Sequence, residues 1–323
     1  LLELRKLNSV SPVIKVLRQI REIYRLIRLL ARLDVDVIQT WMYQSDLIGG
    51  VVGTLLRKKI VWGIYSSNLE REYYKRSTYW AIRLCGSLSR YLPHRIVACT
   101  RAGSLAHIDI GYPKDRITHI PIAVDTNSFK KCASKRFSIR QSCGVGEHTK
   151  VVGMVARWDP QKDHKTMVEG FSLVCDERLD VELWLAGGYG MDDSNRELLE
   201  LIESSGVTSR IRLFGAIEDI VSFYSGIDIF ALLSNGEGMP NVLLEAVSCE
   251  LPCVASSVGD IPNVVGEYCQ LLKHNNDLKL SQALIKLIEL DKGEAVNLTR
   301  LGRKYVIDNY SIESVSKRYT DLY

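Results

Sequence analysis

The stretch Gly236-Glu237-Gly238-Met239-Pro240-Asn241-Val242-Leu243-Leu244-Glu245-Ala246 decides how the rest of the chain is read. Before it, Ile227 to Ser234 is a short apolar run rich in β-branched and aromatic residues, the pattern of a buried strand. After it the pattern turns helical. Pro240 suits the first helical position, where a missing N–H costs nothing, and Gly236 and Gly238 loosen the strand-to-helix turn. The first-turn amides of Gly238 to Asn241 then point into the mouth of the loop, as a cradle for phosphate or sugar oxygens. Two carboxylates bracket it. Glu245 lies five residues past Pro240, roughly 7 to 8 Å along a helix axis, so it and Glu237 meet one elongated ligand at different heights. An ionised carboxylate accepts two hydroxyl donors at once, which matches a sugar or ribose. Taken bare, the same two residues also fit a solvated helix Glu beside an idle loop Glu.

The context settles more than the spacing does. The Glu, seven residues, Glu pattern inside GEGMPNVLLEA, followed by LPCVAS and VGDIPNVVG, closely resembles the retaining glycosyltransferases of family 4, also called glycosyl transferases group 1. That resemblance implies an α/β protein of the GT-B fold, two Rossmann-like domains whose parallel sheets face across a cleft. It implies that Glu237 touches the transferred sugar and that Glu245 holds the donor's ribose hydroxyls. The donor is then a UDP-sugar or GDP-sugar, used without a further cofactor.

The chain has 323 residues, with 46% hydrophobic and 25% charged residues, enough for two domains with real cores. No apolar run approaches membrane-spanning length and no signal peptide is recognisable. Charge is uneven: residues 1–125 carry 20 Lys+Arg against 10 Asp+Glu, the remainder 22 against 28. The basic half is the one suited to an anionic partner. Eight scattered cysteines, with no C-x-x-C and no His at ligand spacing, read as buried free thiols in a reducing cytosol, not as disulfides or a metal site.

Taken in order, Val13 to Leu33 is helical by period, with Lys15, Arg18, Arg21, Arg25, Arg28 and Arg32 on one face. Such a helix either leans on an anionic leaflet or covers a sheet with its apolar side, and the two are compatible. Strands at Val35, Lys59 to Asn68 and Arg95 to Thr100 alternate with helices, the second of them basic between Glu70 and Ser89, which argues a parallel sheet. Residues 1–130 read as the acceptor-side domain, 131–149 as linker with a short helix, and 150–310 as the nucleotide-sugar domain. The ending YSIESVSKRYTDLY resembles the family's last helix, residues 311–323, which returns to the first domain.

The second domain opens with a strand, Val151 to Ala156, and then Arg157 and Lys162, at the strand end where open α/β sheets bind ligands. Alone these are ordinary surface charges. In the family pattern they hold a diphosphate and neutralise its growing charge as the glycosidic bond breaks. The glycines at 187, 188 and 190 resemble a nucleotide loop but lack a dinucleotide fingerprint, having Asp193 at its third position. The turn at Ile217 lies beside the nucleobase in the family.

Three departures stand out. The resemblance calls for a first strand and glycine-rich loop that nothing before Leu1 supplies, so the acceptor-side domain reads as incomplete or shortened. Tyr65-Ser66-Ser67 stand where many relatives have a His, and Ile122-Ala123 where they have Asn-Gly. The expected function is a metal-independent, retaining hexosyl- or N-acetylhexosaminyl-transferase acting on a saccharide or polyprenyl-linked acceptor. It would be cytoplasmic, or peripheral on the inner face of the membrane through Lys15 to Arg32, with no nucleic-acid partner. Its rivals are a catalytically weakened nucleotide-sugar-binding subunit of a polysaccharide assembly complex and a nucleotide-sugar epimerase, which the Arg157, Lys162 and GEGMPN context fits less well.

Overall fold

A computed structural model describes residues 12–323. The chain divides into two compact units at His119/Ile120. The first contains α1 (Pro12–Arg32), β1 (Val37–Trp41), α2 (Tyr43–Leu55), β2 (Lys59–Ile64), α3 (Arg76–Leu88), β3 (Arg95–Ala98), α4 (Arg101–Asp109) and β4 (Ile117–His119). Its four strands pair in parallel in chain order. β1, β2 and β3 are each followed by a helix, and the short runs KIVWGI and RIVA are apolar on both faces, which suits a sheet covered by helices. Ile60, Trp62, Ile96 and Ala98 meet Ile82 and Cys85 of α3 in the core.

On α1, Arg18, Arg21, Arg25, Arg28 and Arg32 are all exposed, as the period predicts. The opposite side is covered only in part: Ile20 and Tyr24 remain 57% and 58% exposed. The side chains up to residue 17, Lys15 among them, lie outside the described residues.

The second unit contains α5 (Ala133–Ser142), β5 (Lys150–Val155), α6 (His164–Glu177), β6 (Val181–Ala186), α7 (Arg196–Ser204), β7 (Ile211–Leu213), α8 (Ile220–Gly226) and β8 (Ile229–Leu232). It continues through α9 (Asn241–Ser248), β9 (Cys253–Ser256), α10 (Ile261–Val265), β10 (Gln270–Leu272), α11 (Asp277–Ile288), α12 (Lys292–Tyr310) and α13 (Ile312–Leu322). Six parallel strands run in the order β10-β9-β8-β5-β6-β7, and apolar clusters cover the two faces of the sheet. The order reverses direction at β5, so the gap between the carboxyl ends of β5 and β8 is the topological switch point, where such sheets bind ligands.

Residues 131–149, read as linker with a short helix, contain α5, which packs against the second unit through Arg140, 1% exposed. Its guanidinium donates to the carbonyls of Gly226 (2.9 Å) and Gly146 (2.7 Å) and pairs with Asp228 (3.1 Å). The closing helix α13 belongs to the second unit, and its first turn begins where Ser311 bridges Val124.

Asp46, on the first turn of α2, is 1% exposed and accepts a 2.6 Å hydrogen bond from Thr40 Oγ1. Burial pushes its carboxyl up to about 7, against the pull of hydrogen bonds from Thr40 and the Gly63 amide. The folded chain therefore keeps a proton that the unfolded chain has released, so stability falls as pH rises from about 4 to about 7 and levels off above. Asp46→Asn should remove this slope and gain on the order of a few kcal/mol on wild type at neutral pH. Parallel urea melts across that range check it, and two curves of equal slope would refute it.

Candidate active site

Two loops meet at the switch point. The first leaves β5 through Ala156 and Arg157, and Asp159 caps its single 3-10 turn by accepting from the Gln161 amide (2.9 Å). Asp163 then adopts the left-handed region (φ 35°) and caps α6 through Thr166. The second loop leaves β8 through Leu233 and Ser234. They are latched together: the Asn235 amide donates to the Gln161 carbonyl at 2.8 Å. Asn275, from the loop after β10, donates to Asp163 Oδ2 (2.7 Å) and to the Ser234 carbonyl (3.3 Å), while accepting from Ser256 Oγ (2.5 Å). Ser256 Oγ in turn accepts from the Ser234 amide at 2.9 Å.

This frame brings Lys162 and Glu237 together in an ion pair, 75 residues apart in sequence. Their side chains are only 18% and 9% exposed. Ser234 Oγ donates to the same Glu237 oxygen at 2.6 Å. A carboxylate so poorly solvated needs such partners, and it has a cation and a hydroxyl. Arg157 stands at the rim, 57% exposed, with its guanidinium steered by Asp159 at 2.7 to 2.8 Å. Burial pulls the Asp159 carboxyl upward, but the Gln161 amide and Arg157 outweigh it and hold it below the usual carboxylate range.

Behind Arg157, His164 is 3% exposed and lies against Trp158, with ring centroids 5.2 Å apart. Its Nε2 is 3.0 Å from the Arg157 carbonyl. A carbonyl only accepts, so Nε2 carries the hydrogen. Burial lowers the imidazole's pKa, which keeps it neutral in this role. The ring thus pins the backbone that presents Arg157.

Glu245 lies farther along α9, half-buried, and the Tyr224 hydroxyl donates to its Oε2 at 2.8 Å. Burial raises the Glu245 pKa and Tyr224 opposes that rise. Arg303 donates to the Ser248 carbonyl at the far end of the same helix. Pro240 occupies the N-cap, not the first helical position, with ψ 71°, and the helix begins at Asn241. The Asn241 amide is engaged by the Met239 carbonyl at 3.0 Å and does not join the expected cradle. Gly238 and Met239 are half-buried beside Glu237, and Ile217 packs at the margin of the apolar cluster that holds α8.

The glycines at 187 and 190 serve the loops themselves. Gly187 (φ 151°) lets backbone pass Ala156 so closely that an added Cβ would lie 2.0 Å from its carbonyl oxygen. Gly259 does the same for Glu237: its φ is +54°, and a Cβ there would lie 2.1 Å from the Glu237 carbonyl oxygen. Sequence reasoning did not single out Ser234, Tyr224, His164, Asn275 or Gly259. The one local hint was a Ser closing the apolar run IDIFALLS.

The family described as Glycosyltransferase Family 4 matches residues 7–128, and that described as Glycosyl transferases group 1 matches residues 149–290. The chain belongs to glycosyltransferase family 4. Among curated relatives, the GDP-mannose-dependent monoacylated alpha-(1-6)-phosphatidylinositol monomannoside mannosyltransferase of Corynebacterium glutamicum is 26% identical, covering 63% of this chain and 55% of its own. The UDP-Gal:alpha-D-GlcNAc-diphosphoundecaprenol alpha-1,3-galactosyltransferase of Escherichia coli is 26% identical, over 64% of this chain and 54% of its own. The chain spans about half the length of these curated relatives. Among solved structures, Anabaena HepE in complex with UDP and glucose superposes with TM-score 0.81 at 20% identity, covering 93% of this chain and 80% of that one. Sucrose-phosphate synthase of Thermosynechococcus elongatus gives 0.79 at 18% identity, covering 100% and 81%. The two parallel-sheet units have the GT-B fold.

Gly259→Ala tests the loop packing. It should displace the Glu237 loop, costing about 2 kcal/mol or more from left-handed strain and overlap, and it should remove any thermal stabilisation by a nucleotide sugar. Wild-type melting with an intact ligand response would contradict the assignment.

Proposed function

We propose that the chain carries the donor site of a retaining glycosyltransferase that takes a sugar from a UDP- or GDP-linked donor. The observation that supports this best is the poorly solvated Lys162–Glu237 pair at the switch point, with Arg157 at its rim. Glu237 orients the sugar hydroxyls. Lys162 and Arg157, with the backbone N–H groups of Gly238 and Met239, hold the diphosphate and neutralise the charge it gains as the C1–O bond breaks. Glu245 accepts from the ribose hydroxyls, its oxygen aimed by Tyr224. In a front-face substitution the departing phosphate oxygen takes the acceptor's hydroxyl proton, so the site needs no separate base. The two cations meet the diphosphate without a metal.

The acceptor is a saccharide or a lipid-linked saccharide in polysaccharide or glycoconjugate synthesis, the class of acceptor named for the C. glutamicum and E. coli relatives. No helix of the described residues is long and apolar enough to cross a membrane. The exposed arginines of α1 would add long-range attraction to an anionic leaflet that carries a lipid-linked acceptor.

Tyr65-Ser66 and Ile122-Ala123, where relatives differ, motivate a second reading as a weakened nucleotide-sugar-binding subunit. Donor hydrolysis separates the two: a transferase leaks some donor to water and a pure binder does not. Glu237→Gln and Lys162→Ala should each lower transfer by about a hundredfold or more, with circular dichroism unchanged. Full activity in either variant would remove the assignment.

A further inference from the structure

The outer face of α3 is built for contact with something other than water. Its inner face is core, with Ala81, Ile82 and Cys85 at 8%, 1% and 0% exposure. Half a turn round, Trp80 and Leu84 sit one turn apart at 62% and 50% exposure, and Tyr91, just past the helix end, continues the line at 79%. Arg76, Arg83 and Arg90 run along the same side, all exposed. Among the described residues none of these three enters an ion pair. Residues 73–108 contain no Asp or Glu at all. The neighbouring α2 extends the apolar surface with Ile48, Val51 and Leu55, 41%, 49% and 66% exposed.

An exposed Trp and Tyr beside aliphatic side chains, edged by cations and with the acids Glu70 and Glu72 confined to the turn before the helix, is an arrangement that water disfavours and an anionic lipid interface rewards. Indole and phenol rings settle at the headgroup boundary, Leu enters the acyl edge, and arginines pair with phosphates. A protein partner of ordinary composition would call for some acid in return. We propose that the outer face of α3, widened by α2, is the surface through which the chain docks on an anionic phospholipid bilayer. The arginines of α1 assist at long range, but α3 supplies the insertion. This deepens the membrane-facing part of the proposed function by naming the surface, and it fails or holds separately from the donor site, because vesicle binding is read without donor or acceptor.

The test is flotation of the intact chain with mixed phosphatidylglycerol and phosphatidylcholine vesicles against pure phosphatidylcholine. Wild type should float only with the anionic vesicles, and Trp fluorescence should shift to the blue. Trp80→Ser/Leu84→Ser, and separately Arg83→Glu/Arg90→Glu, should each lower the partition coefficient about tenfold or more. Their melting temperatures should hold, since all four side chains are exposed. Arg21→Gln/Arg25→Gln/Arg28→Gln on α1 should weaken binding less than either. The proposal is overturned if anionic and neutral vesicles bind alike. It is also overturned if the α1 variant abolishes binding while the α3 variants float as wild type, or if the Trp80/Leu84 variant alters only self-association in light scattering.

Discussion

A carboxylate that is nine-tenths hidden from water is costly to keep, and Glu237 is kept because Lys162 and Ser234 meet the same oxygen. The rest of the second unit reads as what that pairing requires. The switch between β5 and β8 brings two loops from distant parts of the chain side by side. The Asn235–Gln161 bond latches them, the Asn275–Asp163–Ser256 network fixes both to a third loop, and Gly259 permits the approach. The cation and the acid satisfy each other. The pair therefore holds both charged groups in fixed positions at the switch point.

Positioning is layered. Arg157 is held from the side by Asp159 and from behind by neutral His164, whose single ring hydrogen goes to the Arg157 carbonyl. Glu245 is aimed by Tyr224, a phenol 1% exposed within an aromatic cluster that includes Phe129, Phe223 and Phe230. Arg157 and Glu245 thus each rest on a buried side chain, His164 and Tyr224, whose own freedom is removed by packing.

Much of this was legible beforehand, for physical reasons. Buried parallel strands announce themselves as short apolar runs, and VVGMVA, LWLA and DIFALL all became strands or their cores. Glu237, Arg157 and Lys162 were singled out because they follow strand ends inside a family pattern, and Glu245 because the same pattern places it in the helix that follows. What stayed hidden depends on pairings distant in sequence. Tyr224 and Glu245 are 21 residues apart, Asn275 and Asp163 are 112 apart, and no local period reports either. What α5 packs against stayed hidden for the same cause, because Arg140 makes sense only once Gly226 and Asp228 lie beside it. Pro240 illustrates a smaller limit: its fixed φ suits both the N-cap and the next position, and ψ decides which.

The most direct measurement is a crystal structure of the chain soaked with UDP-glucose or GDP-mannose. The account predicts diphosphate density within hydrogen-bonding reach of Lys162 and Arg157, sugar density on Glu237, and ribose on Glu245. Well-ordered donor density elsewhere, with the Lys162–Glu237 pair intact and untouched, would contradict it.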